Sequence, residues 1–317
     1  MRESVRVCLV GAGAFGVKHL EAIQEIEGLD VVALADSELD KARAIAQRFS
    51  VPQVGTDMHK FLLQPDIDAV ILCTPTQLHA SQAIACLNAG KHVQVEIPMA
   101  DNLANAQELV RVQQQTGLVA MAGHTRRFNP SHQWIRREIA AGNLKIQQLD
   151  VQTFFMRRQN LNALGEPRSW TDHLLWHHAC HTVDLFQYQI GEIASKVNAM
   201  QGPLHSKLGI AMDMSLQMKA PSGALCTLSL SFNNDGPFGS FFRYICDNGT
   251  YLASYDELYD GYDKPVDLSD IASSFNGIEL QDRDFLRAIT TGTESMASVS
   301  SVLPAYQTLY WAEKSLY

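Results

Sequence analysis

Along the first 122 residues, short apolar runs alternate with stretches in which apolar residues recur every three or four positions. The runs have the length of buried strands, and the recurrence is typical of amphipathic helices. Strands that alternate with helices predict a doubly wound parallel sheet, an α/β fold. The predicted strands cover residues 5–10, 31–35, 68–73, 92–96 and 118–121.

After about residue 123 the pattern has a period of two residues. Residues 212–218 and 224–232 alternate strictly between apolar and polar positions, as expected of strands with one buried face. The dipeptide Asn248-Gly249 separates two further apolar segments and favours a tight hairpin. These features predict an α+β domain with an open antiparallel sheet, through which we expect a homodimer or homotetramer to form.

Length and composition narrow the class of protein. At 317 residues the chain exceeds the size of a single hydrophobic core, so we expect two domains, residues 1–122 and 123–317. A net charge of −9 without a Lys/Arg-rich run argues against nucleic-acid binding. We expect neither a signal peptide nor a membrane span. Six scattered cysteines without a C-x-x-C pair predict buried thiols in a reducing cytoplasm.

A glycine-rich turn follows the first predicted strand. Gly11 permits a tight turn, Gly13 permits close approach of a pyrophosphate, and Gly16 lets the next helix lie close to the sheet. Asp36 ends the second strand 20 residues after Gly16, where a carboxylate can bind the adenine ribose. An ordinary glycine turn would not require this order of strand, turn, helix, strand and acid. The sequence therefore predicts a dinucleotide-binding Rossmann domain.

A helix predicted near residues 172–189 carries two histidines beside its apolar stripe. His177 and His181 are four residues apart, at the edge of the buried face. Histidine exchanges protons near neutral pH, so the pair suits general acid–base catalysis. Two alternatives remain at this point. The pair can be structural, or the histidine-rich segment can bind zinc, although it lacks the acid of H-E-x-x-H.

Arginines cluster near this helix and near the start of the second domain. They occur at Arg126-Arg127 and Arg157-Arg158, with Arg168 close to the histidines. Each alone can be ordinary surface charge. In an acidic protein, such clusters predict a carboxylate-binding site, because guanidinium groups grip carboxylates bidentately. The predicted contacts to substrate carboxylates are His124, Arg126, Arg127 and Arg168.

Together these features resemble the Gfo/Idh/MocA oxidoreductases over essentially the whole chain. Residues 74–79, with the sequence TPTQLH, are similar to the T-P-x-x-x-H turn of that family. The family usually has Glu-Lys-Pro after the fifth strand, where the lysine helps catalysis, but this chain has Glu96-Ile97-Pro98. The resemblance implies these contacts to a nicotinamide cofactor: Gly11, Gly13, Ala14, Phe15, Gly16, Asp36, Ser37, Cys73, Thr74, Pro75, His79, Glu96 and Ile97.

Three longer segments sharpen the resemblance. Residues 123–130, 165–181 and 231–237 are similar to family members that oxidise a carboxylate-bearing cyclic hemiacetal. This implies oxidation of the hemiacetal of 4-carboxy-2-hydroxymuconate-6-semialdehyde to 2-pyrone-4,6-dicarboxylate, in the protocatechuate 4,5-cleavage pathway. The implied partner is a small di- or tricarboxylate substrate, and Trp170 joins the predicted substrate contacts.

The resemblance also indicates which histidine is the base. The family's D-x-x-x-H helix carries catalytic residues, and His177 falls on its aspartate while His181 falls on its histidine. Ile97 cannot exchange a proton, so another group must accept the hydroxyl proton. We assign His181 as the base and His177 as its orienting partner or second acceptor, and we expect no metal.

Asp36 and Ser37 bear on the choice of cofactor. A carboxylate at position 36 repels the 2′-phosphate of NADP and favours NAD, whereas the resemblance points to NADP. Ser37 can still donate a hydrogen bond to a phosphate. We therefore expect that both NADP and NAD are used.

Two other functions stay open on the sequence alone. A related dehydrogenase for a sugar or polyol would leave the arginines and the absent lysine unexplained. A non-catalytic nucleotide-binding regulator is favoured by the loss of the lysine and opposed by the histidine pair.

Overall fold

The chain folds into two compact units. The first contains the chain up to His124 together with Ile278–Leu303, and the second contains Thr125–Gly277 and the chain from Pro304. The computed structural model describes residues 4–161, 165, 167–168, 171–272 and 274–316.

The division differs from the predicted one, in which residues 123–317 form a single continuous domain. Residues 278–303 belong to the first unit because they bond to its interior. Asp282 pairs with the buried His19, and the carbonyl of Ala297 accepts a hydrogen bond from the amide of Ala122 at 2.9 Å. Such contacts join segments far apart in sequence, which periodicity does not reveal.

A parallel sheet forms the centre of the first unit, as the sequence predicts. The chain adds the second and third strands on one side of the first strand and the remaining three on its other side. This change of side defines a doubly wound sheet, and ligands bind at the point where it occurs. The three-residue third strand was not predicted, since it is too short and too exposed to show a pattern. The strands are β1 Val5–Val10, β2 Leu29–Ala35, β3 Gln53–Gly55, β4 Ala69–Leu72, β5 His92–Val95 and β6 Ala120–Ala122, in the order β3-β2-β1-β4-β5-β6.

The helices follow the predicted apolar stripes. In the first helix Leu20 and Ile23 are buried, but Phe15, predicted on the same face, is 50% exposed because it lies in the first turn, directly after the glycine turn. The helices are α1 Ala14–Ile23, α2 Leu39–Arg48, α3 Met58–Leu62, α4 Thr76–Asn88, α5 Leu103–Thr116, α6 Pro130–Ala140, α7 Cys180–Ile190, α8 Gly277–Thr291 and α9 Val299–Ser315.

The second unit contains a seven-stranded mixed sheet. The sequence predicts an antiparallel sheet, and neighbouring strands are antiparallel except for one central parallel pair, in which Leu225 lies opposite Gln148. The strands are β7 Ile146–Phe154, β8 Lys196–Gln201, β9 Asp213–Lys219, β10 Leu225–Ser231, β11 Gly239–Cys246, β12 Gly249–Ser254 and β13 Glu257–Asp260, in the order β13-β12-β11-β7-β10-β9-β8. The parallel pair is β7 with β10.

The period-two pattern is confirmed by the burial of individual side chains. In β9, Met214, Leu216 and Met218 are buried while the residues between them are exposed. The predicted hairpin joins β11 to β12, with Cys246 paired to Gly249, so Asp247 and Asn248 form the two-residue loop. The hairpin is therefore correct and its turn is displaced by one residue from Asn248-Gly249.

The cysteines are free thiols, as the sequence predicts. Five of the six are buried, and only Cys73 is partly exposed. Within the described residues, the helices are all too short or too polar to cross a membrane.

Candidate active site

The glycine turn between β1 and α1 has the geometry that a bound pyrophosphate requires. Gly11 has φ +104°, and a Cβ there would lie 2.4 Å from the carbonyl oxygen of Cys73. A Cβ at Gly16 would lie 2.0 Å from the carbonyl oxygen of Gly11. At Gly13, by contrast, a Cβ would meet no described atom within 4 Å. The turn is thus closed on the protein side and open in front of Gly13, which fits a phosphate cradle at a helix N-terminus.

Asp36 is fixed beside this turn by its own carboxylate. Oδ2 accepts a hydrogen bond from the amide of Ala12 at 2.7 Å, and Oδ1 accepts one from the amide of Glu38 at 2.9 Å. A carboxylate oxygen has a second acceptor site, so both oxygens can still bind ribose hydroxyls. The side chain is therefore held in place with acceptor positions still available for the ribose.

His79, a predicted cofactor contact, lies between two backbone carbonyls. Its ring is buried, with Nδ1 2.8 Å from the carbonyl oxygen of Pro98 and Nε2 2.7 Å from that of Thr74. Burial lowers the pKa of His79, with the two carbonyls acting in the opposite direction. The side chain joins the loop after β4 to the loop after β5, which indicates a structural role.

A π-helical turn, Leu174–Ala179, opens the helix of the histidines and continues directly into α7. The predicted stripe is buried at Trp176, Ala179 and Val183, while His177 and His181 are partly exposed at its edge. The π turn was missed because hydrophobic spacing does not distinguish it from an α turn. Such turns occur frequently at functional sites, since the extra residue widens the helix locally.

Asp172, just before the π turn, gathers several cationic side chains. Arg157 Nη2 lies 2.5 Å from Oδ2, and Arg168 Nη1 lies 2.5 Å from Oδ1. His178 Nε2 lies 3.5 Å from Oδ2, and the ring of His177 lies 5.0 Å from that of His178. Burial acts to raise the pKa of Asp172, but the neighbouring His178, His177 and Arg157 side chains hold it far below its usual range. One carboxylate thus holds two guanidinium groups close together, and we call this group the Asp172 cluster.

The same cluster contains a group that could hold a metal ion. The possible ligand atoms of Asp172, His177 and His178 lie within 4.8 Å of one another. However, both oxygens of Asp172 already accept hydrogen bonds from Arg157 and Arg168. A metal cation would have to displace them against two positive charges. We therefore interpret the group as an ion-pair cluster.

Arg127, a predicted substrate contact, forms a buried ion pair with Asp184. Its Nε and Nη2 donate to the two carboxylate oxygens of Asp184 at 2.8 and 2.6 Å, and the side chains are only 4% and 1% exposed. Its guanidinium also lies 4.6 Å from the ring centre of Tyr188. Both arms of the guanidinium bond to Asp184, so this ion pair joins α7 to the 3₁₀ turn Thr125–Arg127.

Arg126 remains a candidate anchor. Its guanidinium lies 4.5 Å from the ring centre of Tyr255, and its Nε has no hydrogen-bond partner among the described residues. Burial lowers the pKa of Arg126. Of the other predicted substrate contacts, His124 is fully buried in the first unit, and Trp170 lies outside the described residues.

Comparison with known proteins identifies relatives of both units. Residues 5–124 match the Gfo/Idh/MocA family, described as an oxidoreductase family with an NAD-binding Rossmann fold, and residues 130–272 match the C-terminal domain of bacterial oxidoreductases. Over 305 residues the chain is 60% identical to 4-carboxy-2-hydroxymuconate-6-semialdehyde dehydrogenase of Sphingobium sp. (strain NBRC 103272 / SYK-6), covering 96% of each chain.

Solved structures share the fold at low identity. One is levoglucosan dehydrogenase in complex with NADH and levoglucosan, with TM-score 0.85 and 21% identity over 99% of this chain and 98% of that one. Another is an oxidoreductase from Agrobacterium radiobacter in complex with NAD+, L-tartaric acid and magnesium, with TM-score 0.83 and 16% identity over 98% and 96% of the chains. At these identities the likeness concerns the fold alone.

We expect Arg127→Lys to lower the free energy of unfolding by about 3 kcal/mol, because an ammonium cannot replace both hydrogen bonds to the buried Asp184. Denaturant unfolding followed by circular dichroism measures this. Arg136→Lys is the control, since Arg136 also lies over Tyr188 but donates to a backbone oxygen, that of Gln189. Unchanged stability together with a raised KM would instead make Arg127 a substrate anchor.

Proposed function

This chain belongs to the Gfo/Idh/MocA oxidoreductases, as its sequence predicts, and we propose that it oxidises the cyclic hemiacetal of 4-carboxy-2-hydroxymuconate-6-semialdehyde to 2-pyrone-4,6-dicarboxylate. The observation that carries this choice of substrate is the Asp172 cluster, which brings two guanidinium groups together near His177 in a chain of net charge −9. A carboxylate gains more from two guanidinium groups than a neutral sugar does, because both partners of each hydrogen bond are then charged.

The reaction removes two electrons and two hydrogens from the hemiacetal carbon and its hydroxyl. The C–H bond breaks as hydride leaves, the O–H bond breaks as a proton leaves, and a lactone carbonyl forms. The bound nicotinamide supplies the hydride acceptor. The open space at Gly13 and the fixed carboxylate of Asp36 support binding of its pyrophosphate and adenine ribose.

The chain must supply a base for the hydroxyl proton. Ile97 has no proton-exchanging group, and the arginines are too basic. His181 is partly exposed and follows His177 by one turn. We assign His181 as the base. His177 lies near Asp172 and beside the ring of His178. This position suits a residue that orients the substrate or His181.

Substrate carboxylates need cationic anchors. Asp172 holds the guanidinium groups of Arg157 and Arg168 close together, where they can bind a substrate carboxylate. Arg126 offers a second anchor through its unpaired Nε. Two such anchors match a substrate that carries more than one carboxylate.

We further propose that the protein works in the cytoplasm and assembles through the outer face of the mixed sheet. Free buried thiols suit a reducing compartment. On the sheet, Met200 in β8 is 66% exposed and Leu225 in β10 is 43% exposed, which favours burial against a second copy.

The direct test of this function is a nicotinamide-reduction assay with a substrate panel. We expect turnover of the carboxylated hemiacetal and no comparable turnover of neutral sugars or polyols. Comparable kcat/KM for a neutral polyol would contradict the proposed substrate, and absence of reduction with every substrate would favour a non-catalytic role.

Arg168→Ala should raise KM by about tenfold or more with a smaller change in kcat, because it removes a charged hydrogen bond to the substrate. Arg157 still pairs with Asp172 in this variant, so the fold is retained. Steady-state kinetics measure the effect. Arg43→Ala, at an exposed ion pair with Asp40, is the matched control. A normal KM for Arg168→Ala would exclude its role as an anchor.

His181→Asn should lower kcat by roughly 100-fold, because the hydroxyl proton then has no acceptor. The limb of the pH–rate profile near neutrality should disappear, while the Kd for cofactor stays unchanged. His177→Asn is measured beside it. If only His177→Asn is inactive, the two roles are exchanged, and if both variants turn over normally, the histidines are not catalytic.

For the cofactor we propose use of both NAD and NADP, with Asp36 favouring NAD. Asp36→Asn keeps an acceptor for the amide of Ala12 and removes the charge that repels a 2′-phosphate. The ratio of kcat/KM for NADP to that for NAD should rise by about tenfold. Asp40→Asn, an exposed acid on α2, is the control. A strong NADP preference that Asp36→Asn leaves unchanged would show that Asp36 does not face the ribose.

A further inference from the structure

A buried ionic network lies in the interior of the first unit. His19 of α1 has no exposed surface, and its Nδ1 lies 2.9 Å from both carboxylate oxygens of Asp282 in α8. Its Nε2 lies 3.0 Å from Oε1 of Glu96. Gln94 of β5 donates to Oδ1 of Asp282 at 2.7 Å. We call these four residues the His19 network.

The geometry determines the charge of the imidazole. A neutral imidazole has one N–H, so it would present a lone pair to one of the two carboxylates. Only an imidazolium donates to both Asp282 and Glu96. Burial by itself lowers the pKa of His19, but the charge of Asp282, and the contact with Cys73 after β4, raise it well above its usual range. With two carboxylates and one imidazolium, the network carries one net negative charge.

This charge reaches the surface at the edge of the sheet where ligands bind. Glu96 directly follows β5, and it is 9% exposed, whereas His19 and Asp282 are 0% exposed. A Cβ at Gly123 would lie 2.8 Å from Oε1 of Glu96, so the glycine leaves room for the carboxylate. The next residue, Ile97, adds no positive charge.

The nicotinamide half of a dinucleotide belongs on this side of the sheet. In a doubly wound sheet the cofactor spans the switch point at the carboxyl ends of the strands. Asp36 follows β2 and assigns the adenine ribose to that half of the sheet. The nicotinamide half then falls to β4 and β5, where Glu96 ends its strand.

We propose that the His19 network fixes a net negative charge beside the nicotinamide ring and so favours the oxidised cofactor, whose ring is cationic, over the reduced cofactor, whose ring is neutral. Glu96 is the residue that faces the ring, and His19 and Asp282 are positioning residues that act through it. The consequence is a first unit that loads the oxidised cofactor and releases the reduced one, which suits net oxidation. This inference rests on the proposed cofactor binding and does not depend on the identity of the substrate.

The test is calorimetric titration of the full-length protein with NAD+ and with NADH, without substrate. The ratio of Kd for NAD+ to Kd for NADH should rise by about tenfold in Glu96→Gln, because the variant loses the charge that attracts the cationic ring. Glu21→Gln is the matched control, since it removes an exposed acid, paired with Arg48, from α1 of the same unit. It should leave the ratio unchanged.

Ile97→Lys provides a second variant that does not disturb the His19 network. It adds a positive charge next to Glu96, and it should raise the same ratio by a similar factor. Circular dichroism verifies that each variant is folded. An unchanged ratio in the folded variants overturns the inference.

His19→Gln tests the positioning role through pH. With a neutral amide in place of the imidazolium, no positive charge separates Asp282 from Glu96. One of the two carboxylates should then take up a proton near neutrality. The Kd ratio should then vary between about pH 6 and pH 8 in the variant, and stay constant in the wild type. A purely structural role would weaken both cofactors equally at every pH, and that result would overturn the role of His19.

The outcomes also separate this inference from the proposed function. If neither cofactor binds the wild-type protein, both fail. If the ratio responds as expected but the hemiacetal is not oxidised, the charge effect stands and the proposed substrate is wrong.

Discussion

The second unit depends on the buried ion pair between Arg127 and Asp184. Two parallel hydrogen bonds satisfy the guanidinium fork, and the ring of Tyr188 covers its face. A buried pair gains little net stability over apolar packing, but removal of one partner leaves an unpaired charge in the interior. The pair therefore acts mainly as a positional constraint. It fixes the rotation of α7, and with it the edge on which His177 and His181 lie.

The first unit depends in a similar way on a charged centre within an apolar sheet. His19 of α1 contacts Asp282 of α8, Glu96 directly after β5 and Cys73 directly after β4. This explains why a segment near the end of the chain belongs to the unit formed by its beginning. A satisfied buried network costs much less than a partly satisfied one, so the three elements must assemble together.

Local features could be predicted from the sequence, and features that depend on a distant partner could not. The roles of Gly11, Gly13 and Gly16 follow from spacing within one turn, and the space around each glycine agrees with them. The contacts that Arg127 and His79 make within the protein could not be predicted, for the opposite reason. The presence of an arginine or a histidine in the sequence does not reveal whether its side chain contacts a substrate, a buried carboxylate or backbone carbonyls.

The same distinction applies to the sheet and the site. Alternation predicted β9 and β10 because each strand shows its own period, but the parallel pairing of β7 with β10 joins segments more than seventy residues apart. The Asp172 cluster contains both kinds of feature, those visible in the sequence and those that depend on a distant partner. The arginines and histidines were visible as candidates, yet nothing in their spacing indicated that one aspartate holds Arg157 and Arg168 together.

The charge of the whole chain and the charge of the sites act over different distances. A net charge of −9 disfavours approach of an anion, but salt screens such a field beyond roughly 8–10 Å at physiological ionic strength. Buried groups are screened much less, so the Asp172 cluster retains its attraction at short range. Likewise the single negative charge of the His19 network acts only on a group that reaches Glu96. One acidic chain can therefore bind both an anionic substrate and a cationic nicotinamide ring. The guanidinium groups of the Asp172 cluster act on the first, and Glu96 of the His19 network acts on the second.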